Sequence, residues 1–211
     1  MNEEMRKPER EREQEPGRAR EREEDFAWIR AFLAGDRQIF DKLVLRYQNR
    51  VFNLCYRFLG DYEEADDCAQ EAFLKAFKSL KSFGFRSAFS TWLYTVTVNT
   101  CKNRLKSAHY RYRKRTVPIN GTKERDDRPA SLEIEDTSPS PLAQLAQRET
   151  ELLLQKAIEE LPEDWRTVVI LRDVEGLAYE EIAHITGYNL GTVKSRLARA
   201  RQALGRALSE A

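Results

Sequence analysis

The 211-residue chain carries 36 Lys and Arg against 35 Asp and Glu, a formal net charge of +1, with 41% apolar and 34% charged residues. Such a chain can hold one or two small cores but not one large one, and no stretch reaches the roughly 18 apolar residues that span a bilayer. Nine Gly and seven Pro are few turn formers, which favours a mainly helical chain, with an all-α fold expected, over a many-stranded sheet protein.

Residues 1–24, MNEEMRKPEREREQEPGRAREREE, contain no aromatic or branched aliphatic side chain. The segment buries too little apolar area to offset its ordering entropy and is expected to be a disordered tail. It also lacks the apolar centre of a secretory signal, so the protein is expected in the cytoplasm. From residue 25 the apolar residues recur at helical spacing. Phe26, Ile29, Phe32 and Leu33 mark a first helix, and Ile39, Phe40, Leu43, Val44, Tyr47, Val51, Leu54 and Phe58 a second, with Gly35 and Asp36 between them as breaker and N-cap.

A third helix follows Gly60 and Asp61. Its apolar side is Ala65, Ala69, Phe73, Ala76, Phe77 and Leu80, and its other side carries Asp66, Asp67, Gln70 and Glu71. The stretch at 90–105, STWLYTVTVNTCKNRL, alternates like a strand over Thr95 to Val98 but also fits a helix with two apolar faces, the pattern of a central helix in a bundle. Charge is uneven here. Residues 61–71 hold six carboxylates and no base, and residues 102–115 hold seven Lys and Arg and no acid; such blocks are either solvated faces or surfaces for different partners. Cys55, Cys68 and Cys101 are odd in number and widely spaced, which fits neither a disulfide framework nor a CxxC metal motif and reads as buried thiols.

Residues 116–141 contain four of the seven prolines, no aromatic residue and no period, so they read as an extended linker between two helical domains at 25–115 and 142–211. Beyond it, Leu145, Leu152, Leu153, Ala157 and Leu161 mark a helix stopped by Pro162, and Trp165, Val168, Val169, Leu171 and Arg172 another that ends before Leu177. Then LAYEEIAHITGYNLGTVKSRLARARQAL, residues 177–204, reads as a short helix, a turn through Gly187, Tyr188 and Asn189, and a longer helix: helix-turn-helix grammar. On the second helix Leu190, Val193, Leu197, Ala200 and Leu204 form the expected buried stripe. Thr192, Ser195, Arg199 and Gln202 then lie opposite it, flanked by Lys194 and Arg196. Small hydroxyls beside a planar cation suit a major groove, where Arg pairs with guanine, although a solvated amphipathic helix would turn its Arg outward too. His109 and His184 have no companion at metal-ligand spacing, and no phosphate loop or nucleophile motif is present.

The segments GDRQIFDKLVLRYQNRV (35–51), ADDCAQEAFLKAF (65–77), SAFSTWLYTVTVNTCKN (87–103), LPEDWRTVVILRDVEGLAYEEIA (161–183) and GTVKSRLARAR (191–201), in this order, resemble the extracytoplasmic-function sigma factors. These are the smallest sigma factors of the sigma-70 family of bacterial RNA polymerase. The resemblance implies two small helical bundles, sigma region 2 and sigma region 4, joined by a flexible linker. It assigns Asp66, Asp67, Gln70 and Glu71 to the polymerase clamp. Phe83 and Asn99 would line a pocket for a base flipped from the −10 element, with Lys102, Arg104 and Lys106 on phosphates. Arg172, Thr192, Lys194, Ser195, Arg196 and Arg199 would meet the −35 element. The partners implied are core RNA polymerase, promoter DNA and an anti-sigma factor, with no catalytic residue, metal, cofactor or small-molecule substrate and no insertion into a membrane. The competing readings are a helix-turn-helix regulator acting without polymerase, which a gel shift without core enzyme separates, and a helical hydrolase or nuclease, for which no motif can be named.

Overall fold

Helix α1 runs from Glu15 to Leu33, so it begins ten residues before the apolar pattern does and takes in much of the segment expected to be a disordered tail. The computed structural model describes residues 15–107 and 141–209. The basic run from residue 108 and the expected linker, apart from its last residue, lie outside the described residues, as do residues 1–14.

The charges that read as disorder in α1 are ion pairs made to the next helix, α2, Phe40–Leu59. The Arg46 guanidinium lies 2.6 Å from Glu24 and 2.8 Å from Asp25, donates to the Glu21 carbonyl, and stacks 4.1 Å over the Trp28 ring. Arg50 adds a looser pair to Glu21 at 3.7 Å. Asp25 is 1% exposed; burial pushes its carboxyl above the usual range while the Tyr47 hydroxyl and Arg46 pull it back. A composition argument sees only the segment's own apolar content and misses partners supplied from elsewhere.

A single 3-10 turn at Arg37–Ile39 leads into α2, and Asp36 makes no side-chain cap there, contrary to expectation. Helix α2 buries Phe40, Leu43, Tyr47, Val51, Leu54 and Phe58, whereas Ile39 and Val44 are only partly covered. It stops at Gly60, whose φ of 72° is the left-handed conformation that glycine adopts without strain. Asp61 then caps α3, Tyr62–Ser79, by accepting from the Glu64 amide at 2.9 Å. The inner side of α3 is small, with Ala65, Cys68, Ala69, Ala72 and Ala76 buried, which lets α2 and α4 approach closely.

The ambiguous stretch is helix α4, Phe89–Lys106. Three of its threonines are satisfied within the helix, Thr95 donating to the Thr91 carbonyl at 3.0 Å, Thr97 to that of Leu93 and Thr100 to that of Val96, both at 2.9 Å. That back-bonding lets polar β-branched residues sit in a core without orphaned groups. Leu93, Val98 and Cys101 are buried on it, as its placement at the centre of the first bundle requires.

The second bundle comprises α5 (Pro141–Glu160), α6 (Glu163–Val169) continuing through one π turn at Ile170–Val174, α7 (Tyr179–Thr186) and α8 (Leu190–Ser209). Gly187, at φ 72°, ends α7, and Asn189 starts α8 by accepting from the Thr192 amide at 2.8 Å. All the described secondary structure is therefore helical, in two bundles.

The bundles touch. The Gln155 amide on α5 donates to the carbonyls of Tyr56 and Arg57 at 3.2 and 3.4 Å, and Arg166 on α6 donates to that of Phe58 at 2.8 Å. Arg166 also donates to the Glu159 and Leu161 carbonyls. Side chains of the second bundle thus cap the C-terminus of α2, whose last carbonyls have no partner inside the helix and favour a cation. At the other end of the contact, Thr91 donates to Glu181 at 3.2 Å and Tyr94 to Glu175 at 2.9 Å.

Candidate nucleic-acid interface

The acidic face is assembled as its helical spacing requires. Asp66, Asp67 and Gln70 are exposed on α3 and Glu71 is half-exposed beside them. Gln70 donates to Asp66 at 2.9 Å, Lys75 pairs with Glu71 at 2.7 Å, and Arg104 approaches Asp67 at 3.9 Å. Pairs this exposed stabilise the fold by a few tenths of a kcal/mol at most, so a cationic partner can displace them at small cost.

Phe83 is not available to a base. It is 4% exposed and lies among Phe26, Phe85, Phe89 and Trp92, with ring centroids 5.0–6.0 Å apart. Burying an aromatic ring in edge-to-face contacts outweighs leaving it in water, so in the chain without DNA the ring is covered rather than open for stacking. Asn99 is exposed on α4, but it stands seven residues beyond Trp92, about 10 Å along the axis. The structure therefore does not bring Phe83 and Asn99 into one pocket. Phe85, like Phe26 and Trp92, is a partly exposed ring of this cluster, and it holds a positive φ of 55°. No periodicity in the sequence distinguished the two phenylalanines.

The three basic residues after Asn99 are all engaged. Lys102, with 17% of its side chain exposed, lies 3.7 Å from Glu163 and 3.9 Å from Asp164, with the Tyr188 ring 5.9 Å away. Lys106 reaches the same Glu163 at 3.7 Å, and Arg104 turns to Glu64 at 3.5 Å. Glu163 and Asp164 open α6, where acids also complement the helix dipole. That local role is what the sequence suggests for them; their second role, facing cations of the other bundle, has no sequence signal.

On α8, Val193, Leu197 and Ala200 are buried and Leu204 is partly covered, but Leu190 is 40% exposed. Leu190 is the first residue of the helix and has no preceding turn to pack beneath, so the stripe begins one step later than expected. Lys194, Ser195 and Arg199 are exposed and Thr192 is half-exposed. Ser195 donates to the Thr192 carbonyl at 3.1 Å, and Lys194 lies 5.8 Å from the Tyr179 ring. Arg196 does not belong to that outward set. Its guanidinium stacks 3.9 Å over Tyr188 and pairs with Asp164 at 2.9 Å, which holds the turn of the motif against α6. Arg172 donates to the Leu177 carbonyl at 2.7 Å and stacks 4.8 Å from Tyr179, so it braces the loop into α7.

A further group of residues converges that spacing along the chain had separated. Cys55, Cys68 and Cys101 are buried free thiols on α2, α3 and α4 with adjacent sulfur atoms. Among the described residues no helix is long and apolar enough to cross a membrane.

Residues 43–111 match the family model of sigma-70 region 2, and residues 151–204 match that of sigma-70 region 4. The chain is 40% identical over 186 residues to the RNA polymerase sigma-H factor of Pseudomonas aeruginosa, spanning 88% of this chain and 94% of that protein. It is 38% identical over 180 residues to the ECF RNA polymerase sigma-E factor of Escherichia coli strain K12, spanning 85% and 92%. Among solved structures it is similar to CnrH in complex with the cytosolic domain of CnrY, with a TM-score of 0.62 and 20% identity over 87% of this chain and 96% of that one. It is also similar to the sigma factor RpoE in complex with the anti-sigma factor NepR from Bartonella quintana, with a TM-score of 0.58 and 24% identity over 81% and 96%. At these identities the structural likeness is one of fold alone.

Proposed function

The chain belongs to the sigma-70 family, as an extracytoplasmic-function sigma factor that directs promoter-specific transcription initiation, and from that premise we propose how its residues divide the work. Sigma factors are non-catalytic subunits of RNA polymerase, so what the residues supply is binding energy and register. The first bundle, 25–115, is the polymerase- and −10-binding domain, the second, 142–211, is the −35-binding domain, and 116–141 tethers them.

The observation that carries this reading is the outward set on α8. Lys194, Ser195 and Arg199 are exposed while Val193, Leu197 and Ala200 are buried, so one face is fixed by the core and the other is free to enter a major groove. Arg199 reads a base edge, Lys194 and Thr192 steer and hold phosphates, and Arg196 and Arg172 act indirectly by positioning the motif. Asp66, Asp67, Gln70 and Glu71 meet a basic surface of the polymerase clamp, where charge complementarity gives register and fast encounter. Asn99 reads a −10 base, with Lys102, Arg104 and Lys106 on the neighbouring phosphates.

In the closed arrangement Glu163 and Asp164 occupy Lys102 and Lys106, which supports weak promoter binding by the free protein. Core polymerase fixes the separation of the domains and turns two weak readers into one specific one. The protein acts in the cytoplasm, and an anti-sigma factor holds it there by competing for these surfaces. Run-off transcription tests the reading. Core polymerase plus this chain yields a transcript from a cognate promoter and neither component alone does; absence of a sigma-dependent transcript, or tight operator binding without core, overturns it.

A further inference from the structure

The sulfur atoms of Cys55, Cys68 and Cys101 meet at one point in the centre of the first bundle. Cys101 Sγ lies 3.6 Å from Cys68 Sγ and 3.7 Å from Cys55 Sγ, and all three lie within 4.8 Å of one another. Each residue is fully buried. A metal held by thiolates at about 2.3 Å needs its sulfur atoms about 3.8–4.0 Å apart, so these three are close to that spacing without backbone movement. Three buried cysteines can also fill space as small hydrophobes. That role alone does not require one from each of three helices to point at a common centre.

We propose that Cys55, Cys68 and Cys101 form a three-thiolate site for a soft, monovalent metal ion, with copper(I) as its ligand. The donor set selects the ion. Thiolate sulfur favours soft metals, and among the described residues no His or carboxylate joins the cluster as a fourth ligand. The surroundings are apolar, with Cys68 packed among the alanines of α3 and Cys101 near Val98. Structural zinc is held by four ligands, which this site lacks; copper(I) accepts three.

Binding replaces three S–H bonds with three sulfur–copper bonds, and the protons leave to solvent. Because each thiol gives up its proton to the metal, affinity rises with pH. The three thiolates and one copper(I) ion leave a net negative charge, which the nearby Arg104 guanidinium, shared with Glu64 and Asp67, offsets only in part. Because each sulfur comes from a different helix, the ion would fasten α2, α3 and α4 together beneath the acidic face of α3.

The test uses the reduced full-length chain under anaerobic conditions, titrated with copper(I) against a chromophoric copper(I) chelator. The expected result is one ion per chain, an X-ray absorption spectrum fitted by three sulfur atoms without oxygen or nitrogen, and a raised melting temperature. Cys68→Ser, Cys55→Ala and Cys101→Ala should each lower affinity at least a hundredfold. Failure of the wild-type chain to take copper from the chelator overturns the proposal and leaves the thiols as core packing. Wild-type affinity in the triple alanine variant overturns it too, as does zinc binding with a fourth oxygen ligand at comparable affinity. Circular dichroism accompanies each variant, and Cys68→Val keeps the core filled while removing the donor. If every substitution unfolds the bundle, the wild-type stoichiometry and sulfur count decide.

Discussion

Helices α4 and α8 are the two that face promoter DNA in the proposed reading, and they are built in opposite ways. Helix α4 is enclosed by α1, α2 and α3 and by α7 of the other bundle, so eight of its eighteen residues are buried and Asn99, Asn103 and Lys106 are its exposed ones. Helix α8 is covered along one stripe, and its opposite face is open over four turns. A helix of the first kind can present one residue rigidly but cannot vary many positions. A helix of the second kind can change its whole outer face without touching the core, and base preference at the −35 element is therefore the more adaptable half of specificity.

The largest test of that contrast is Leu93→Ala, which empties a fully buried position on α4. It should cost about 3–4 kcal/mol of stability in denaturant unfolding, and a cost below about 1 kcal/mol would show that α4 is not the centre of the bundle. Next is Arg199→Ala, exposed on α8. It should leave stability unchanged and cost about 1–3 kcal/mol of promoter binding by holoenzyme, with preference lost at one −35 position. A uniform loss across sequences would instead make Arg199 a phosphate contact.

A smaller effect concerns pH at the contact between the two helices' bundles. Burial pushes the Glu175 carboxyl above the usual range while the Tyr94 hydroxyl bond opposes that shift. A carboxyl whose pKa is higher in the closed state than in the open one takes up a proton on closing. The Glu175 contribution therefore favours closure as pH falls through that raised range and disfavours it above. Small-angle scattering should show the wild-type chain more extended on the alkaline side of the transition, with Glu175→Gln removing that dependence; an identical profile in the variant would assign it elsewhere. The smallest effect is Leu190→Ala on α8, which should cost no more than about 0.5 kcal/mol because the side chain is already 40% exposed. A cost near that of Leu197→Ala would restore Leu190 to the stripe.

What could be read from the chain follows the same contrast. The face of α8 was legible because one-sided burial leaves a 3.6-residue rhythm, and Val193, Leu197 and Ala200 keep it. Helix α4 carried no such rhythm, since Thr97 and Thr100 are buried alongside Val98 and Cys101 and their back-bonding cannot be seen in residue types. The start of α1 was hidden for a different reason: Glu24 and Asp25 are held by Arg46, twenty-two and twenty-one residues away. Phe83 and Phe85 share one residue type two positions apart, and only packing decides which ring is covered. The cysteines and the Lys102–Glu163 contact join distant parts of the chain, and local pattern contains no record of either.

The cap on α2 has a consequence for how opening of the molecule can be watched. Gln155 and Arg166 satisfy the carbonyls of Tyr56, Arg57 and Phe58 only while the bundles touch. Once they part, the final turn of α2 keeps the Gly60 amide bond to Tyr56 but loses the foreign donors that anchor it, and a helix end without a cap frays. The amides of residues 57–60 should then exchange with deuterium faster in the polymerase-bound chain than in the free one, while those around Leu43 stay slow. A few peptide groups at one helix end become a built-in reporter of domain separation, readable without any label.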